Sequence, residues 1–152
     1  MSSKIIPLIG VLLVAAVAGY LYQNQIMFDK EAALLTSEAQ FRQGQMYEEG
    51  WGRPKDTGEA IRWYRHAAIN DHAQAQFNLA NLYYAGERVE QDLHKALKWY
   101  LAAANNGHVE AEYRVGWMYQ HGEGVPVDRV EAEKWFSMAR EQGHDKVPPV
   151  SG

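Results

Sequence analysis

The chain has 152 residues, about one domain's worth, with 15 Lys and Arg against 19 Asp and Glu and no cysteine. That length, shared with an apolar N-terminal run, leaves no room for a Rossmann domain, a TIM barrel or any large catalytic domain. The acidic balance suits DNA and RNA poorly, since phosphates call for a basic footprint, and without cysteine there are no disulfides, thiolate nucleophiles, iron–sulfur clusters or Cys-type zinc sites.

Residues 1–4 form a short start with one basic side chain, Lys4. Residues 5–22, IIPLIGVLLVAAVAGYLY, then run without a charge or an amide side chain. As a helix they would span about 27 Å, close to the hydrocarbon core of a bilayer. Tyr20 and Tyr22 stand at the far end, where aromatic anchors favour the interface. This segment predicts a transmembrane helix or signal anchor, and Lys4 before it mildly favours N-terminus in, repeats out. Two rivals stay open. Ala16-Val17-Ala18 before Gly19 has the form of a signal-peptidase site, and the segment would also serve as a buried solenoid helix.

Residues 23–36, QNQIMFDKEAALLT, form a connector with a partly helical pattern, suited to cap the first repeat or to extend the apolar helix. Then comes an internal period. Residues 37–72, 73–108 and 109–144 align without a gap. Ala39, Ala75 and Ala111 correspond, as do Tyr47, Tyr83 and Tyr119; Gly50, Gly86 and Gly122; and Asp56, Asp92 and Asp128. So do Ala60, Ala96 and Ala132; Trp63, Trp99 and Trp135; Ala67, Ala103 and Ala139; and His72, His108 and His144. A gapless period needs one structural solution three times.

Each block reads as two antiparallel helices. Helix A covers roughly 37–48, 73–84 and 109–120, and Gly50, Gly86 and Gly122 end it. Asp56, Asp92 and Asp128 read as N-caps of helix B, with Glu59 and Glu131 completing capping boxes. Helix B covers roughly 57–70, 93–106 and 129–142, with Ala60, Trp63, Tyr64 and Ala67 as its apolar stripe. The small residues let helix axes approach, and the tryptophans fill space between hairpins as core. One hairpin cannot bury this face, but a stack of three can. Residues 145–152 form a short tail with Pro148-Pro149.

These residues resemble the Sel1-like repeat, a relative of the tetratricopeptide repeat. The third block carries the pattern best, through Ala111, Gly116, Tyr119, Gly122, Gly124, Val125, Asp128, Ala132, Trp135, Phe136, Ala139 and Gly143. The resemblance implies an all-α right-handed solenoid of three hairpins, here behind an N-terminal membrane helix. It implies an adaptor for protein complexes in a bacterial envelope, with no catalytic residue in the repeat itself. With the apolar segment, it places the protein in the bacterial inner membrane with periplasmic repeats, or in the periplasm or outside the cell after cleavage. Gln43 departs from the apolar residue supplied by Leu79 and Val115, Arg88 from a loop glycine, and Asp71 from the closing glycine of Gly107 and Gly143. The absence of cysteine separates the chain from the disulfide-rich branch of the family.

Catalysis and cofactors find no footing. No H-E-x-x-H, P-loop, G-x-S-x-G or EF-hand pattern is present. His72, His108 and His144 stand one repeat apart, about a helix-packing distance, too far to share one zinc. What remains is a surface. The helix-A positions that vary between blocks are Arg42, Gln45, Glu48 and Glu49; Asn78, Asn81 and Tyr84; Arg114, Trp117, Gln120 and His121. They are the expected contacts for a protein or peptide partner, with Trp117 and Arg114 foremost. A regulatory or immunity-type binder of a single target is the second reading. Arg129, Glu133, Arg140 and Glu141 would make the outer face of block three polar; otherwise a partner or a second copy covers it.

Overall fold

The computed structural model describes residues 5–33 and 35–147, with side chains from Ala16 onward. Among the described residues seven helices follow one another: α1 (Ile5–Ala33), α2 (Ser37–Glu49), α3 (Thr57–Ile69), α4 (Ala73–Ala85), α5 (Leu93–Asn105), α6 (Val109–His121) and α7 (Arg129–Glu141). No strand occurs among the described residues. Two units form: one runs through Leu35, the other from Thr36 on.

In the first unit α1 is continuous, so the expected connector is helical as far as Ala33 and not a separate element. Val17, Tyr20, Leu21 and Tyr22 are each more than half exposed. Among the described residues no helix is long and apolar enough to cross a membrane. The span expected over residues 5–22 therefore gains no support from the fold, and the side chains of its residues 5–15 lie outside the described ones.

In the second unit α2–α3, α4–α5 and α6–α7 are the three hairpins, and each helix packs on its neighbours in the chain. The helix starts follow from local chemistry. Asp56, Asp92 and Asp128 cap α3, α5 and α7, accepting from the backbone N–H groups of Glu59, Lys95 and Glu131 at 3.0, 2.9 and 2.9 Å. The capping boxes expected at Glu59 and Glu131 do not form. Their carboxylates pair instead with Arg62 and Lys134, one turn on. The Asp56 and Asp128 N–H groups bond to the carbonyls of Tyr47 and Tyr119, tying each loop back onto its own helix A. Asp71 keeps the left-handed conformation of Gly107 and Gly143, at φ 60°, which Asp tolerates better than most residues.

The core runs within each hairpin and on across the joints between them. Phe41, Ala60, Tyr64 and Ala68 of the first meet Ala75 and Leu79 of the second. Ala80, Leu97, Tyr100 and Ala104 of the second meet Ala111, Val115 and Met118 of the third. Gln43 stays half-buried, whereas Leu79 and Val115 are sealed. Of the repeated histidines, His72 and His108 clasp one hairpin to the next, and His144 ties the segment after α7 back onto α6. The His72, His108 and His144 rings stack on Phe41, Phe77 and Tyr113, with centroids 4.4, 4.3 and 4.7 Å apart. Nδ1 of His72 and of His108 accepts from the N–H of Ala75 and of Ala111, capping α4 and α6. Nε2 meets Glu38, Gln74 and Glu110 in turn. Burial holds His108 below the usual imidazole range, which suits a neutral ring accepting at Nδ1.

The stack ends in polar residues. Where α3 and α5 present Ile61 and Ala68, or Leu97 and Ala104, to the next hairpin, α7 carries Glu133 and Arg140, paired at 3.4 Å. This makes the outer face of the third hairpin mostly polar, as terminal repeats need, with Val130 exposed among Arg129, Glu133 and Lys134; nothing in the fold supports self-association through it.

Candidate functional site

A groove of about 330 Å³ lies between the first and second hairpins. Ala60, Ile61, Leu82 and Ala85 give it an apolar floor; Glu48, Asn78, Asn81, Glu87 and Arg88 give it polar walls. Four elements position these groups: the last turn of α2, the side of α3 that faces the second hairpin, the length of α4 and the loop after it.

A hydrogen-bond network fixes the walls. The buried Tyr64 hydroxyl donates to Glu48 Oε2 at 2.6 Å. Arg88 donates to Glu48 Oε1 at 2.9 Å, from the loop after α4 back to α2. Burial, and then the bond to Glu48, push the Tyr64 phenol far up, so it remains a donor throughout the physiological range. One repeat on, Tyr100 donates to Asn81 Oδ1 at 2.6 Å, and Gln74 donates to Asn78 Oδ1 at 2.9 Å. Asn81 thus commits its carbonyl oxygen to the buried Tyr100 and Asn78 commits its own to the exposed Gln74, which leaves both Nδ2 groups as the open donors of these side chains.

The expected surface residues therefore separate. The groove gathers Glu48, Asn78 and Asn81. Tyr84 turns its hydroxyl to Glu123 at 2.9 Å. Arg42 pairs with Glu38 and Glu49 with Lys55, both exposed. Gln45 is half-buried and Gln120 exposed, and neither lines the groove. Trp117 and Arg114 also lie outside it. Trp117 is half-buried, stacked on His121 with centroids 4.0 Å apart and tilted beside Tyr113, so it is not a bare anchor. Arg114 is partnered by Glu110 at 3.3 Å. Reading helix A alone misses Ile61 and Tyr64, which come from helix B, and Arg88, which comes from the loop. Arg88 carried a signal, since it stands where the other two repeats have Gly52 and Gly124. Among the described residues no cluster of ligating side chains could hold a metal ion.

The Sel1 repeat model matches residues 37–72, 73–108 and 109–144, most of the chain. The chain belongs to the Sel1 repeat family. It is similar to a Sel1 repeat protein from Oxalobacter formigenes, with 35 % identity over 82 % of this chain and 94 % of that one, and a TM-score of 0.74. It is also similar to c5321, a protective antigen of uropathogenic Escherichia coli with the same repeat fold. The identity is 37 % over 70 % of this chain, the TM-score is 0.65, and the match spans 23 % of the antigen. The Helicobacter pylori cysteine-rich protein B, at 22 % identity and a TM-score of 0.59 over 60 % of this chain and 69 % of that one, shares the fold. No curated protein sequence matches the chain. Sel1 repeat proteins are protein-interaction scaffolds, and the groove of this Sel1 protein is where its repeats leave hydrogen-bond donors open beside an apolar floor.

Proposed function

We propose that this Sel1 protein is an adaptor that binds an extended polypeptide segment in the groove between its first and second hairpins. The observation that carries this reading is the pair of asparagines with committed oxygens and open Nδ2 hydrogens, above Ile61 and Leu82. Main-chain carbonyls of an extended peptide are the acceptors such donors suit, and small apolar side chains suit the floor. The test is a peptide selected on the full chain from a random library. Losing two donors, each worth about 0.5–1.5 kcal/mol, gives an expected weakening of roughly tenfold in the Asn78→Ala/Asn81→Ala variant at an unchanged fold by circular dichroism. Trp117→Ala is expected to bind as the parent does. Loss of binding in Trp117→Ala alone would move the site to α6.

The reading also keeps the protein at a bacterial envelope membrane, held by residues 5–22. Its support is in the sequence alone: the charge-free run of residues 5–22 behind Lys4. The expected result is an uncleaved chain in the membrane fraction by intact mass. A mature N-terminus at Gly19 would instead establish a cleaved, periplasmic or secreted protein.

A further inference from the structure

Each helix A carries, at its fourth position, a polar side chain sealed from water: Gln40, Gln76 and Glu112 are 0, 2 and 1 % exposed. In all three, Oε1 accepts from the side-chain amide of the residue that closes its own helix B, Asn70, Asn106 or Gln142, at 3.0, 2.9 and 2.7 Å. In the second repeat the other end reaches back across the joint to the preceding hairpin. Gln76 donates from Nε2 to the carbonyl of Ala68, in the preceding helix B, at 2.9 Å. The gapless repeat sets Glu112 Oε2 in the place of that Nε2, and Ala104 in the place of Ala68. Glu112 Oε2 is buried and has no hydrogen-bond partner. An ionised oxygen sealed against a carbonyl oxygen, with no donor, is strongly disfavoured. A single proton removes the conflict and restores the glutamine pattern.

We propose that Glu112 is held as the neutral acid, its proton on Oε2 donated to the Ala104 carbonyl, so that the joint between the second and third hairpins weakens as the pH rises. The surrounding groups favour that form. From the end of α7 come the neutral Gln142 amide and the Glu141 carboxylate; α5 offers a carbonyl. On the first turn of α6, His108 is occupied as the N-cap, and Glu110 is taken by His144 and Arg114. Burial first, and then the Glu141 charge, hold the Glu112 carboxyl above the usual carboxylate range, against the pull of the Gln142 donor. The folded chain therefore binds this proton more tightly than the unfolded one. The resulting stability is whole below the ordinary glutamate range and is lost as the pH climbs through the raised folded value.

Melting curves of the full chain from about pH 4 to pH 8, with and without Glu112→Gln, test this. The two are expected to coincide at the acid end, and the variant to melt several degrees higher at the alkaline end. Gln76→Glu is expected to bring the same pH-dependent loss to the first joint. Hydrogen exchange in wild-type α6 is expected to speed up with pH beyond its chemical rate. A difference between wild type and Glu112→Gln that is the same at every pH, or a variant less stable throughout, overturns the proposal. A carbon-detected NMR titration of the wild-type Glu112 carboxyl reads the proton without any variant, and a midpoint at or below that of exposed glutamates overturns it as well.

Discussion

Trp63→Ala is expected to cost the repeat domain about 3–5 kcal/mol, the loss typical of a large aromatic removed from a packed core. Trp63 is 3 % exposed, whereas its repeat equivalents Trp99 and Trp135 are only partly buried. Both of those stand at the margin of the cores, Trp99 touching the one on each side of it. Alanine at Trp99 or Trp135 should therefore cost less, because more of the surface lost was already in water. Against a total stability of about 5–15 kcal/mol, the Trp63 change leaves a marginal fold. Urea denaturation of the three variants ranks them. Equal losses, or a smaller one at Trp63, would mean that exposure does not order these sites.

Gly124→Ala is the second change expected to be severe. The residue has φ +69°, where a side chain costs roughly 1–2 kcal/mol. A Cβ there would also stand 2.5 Å from the Leu93 carbonyl oxygen and 2.6 Å from its carbon, backbone atoms at the start of α5. Overpacking of this kind adds about 1–3 kcal/mol. Gly52 is the internal control. It holds the same place in the first repeat at φ +70°, with open space around it. Gly52→Ala should show the conformational part alone, and the difference between the two midpoints isolates the contact. If the two variants lose the same stability, the close approach at Leu93 carries no energy. Arg88, at this place in the second repeat, does not have positive φ. That loop takes another path, and with it the guanidinium reaches Glu48 and closes one wall of the groove.

Several features were legible along the chain because their physics is local. The period of alanines, tyrosines and tryptophans encodes amphipathic helices of one length, and Gly50, Gly86 and Gly122 mark their ends by the left-handed cap each adopts. The three N-cap aspartates act on N–H groups two or three residues away. The same locality explains the failed capping boxes: Glu59 and Glu131 had a basic residue one turn on, which the box pattern does not weigh.

The candidate site was only half legible. Asn78 and Asn81 stood out as variable positions on a repeated helix, but so did Trp117, and sequence alone ranked the tryptophan first. The ranking reversed because His121, four residues on, covers one face of the indole, while a tyrosine from the following helix takes the Asn81 oxygen.

What the sequence by itself determined is the number of hairpins, their ends and the all-α stack, since these rest on contacts within a turn or a loop. What only the tertiary structure decided are the partners thirty to forty residues apart: the histidine clasps, the Glu48–Arg88 wall and the buried row of Gln40, Gln76 and Glu112. A repeat period says that such positions are equivalent. Only packing says which atoms they face, and a one-atom change from amide to carboxyl at Glu112 is invisible until the carbonyl opposite it is in place.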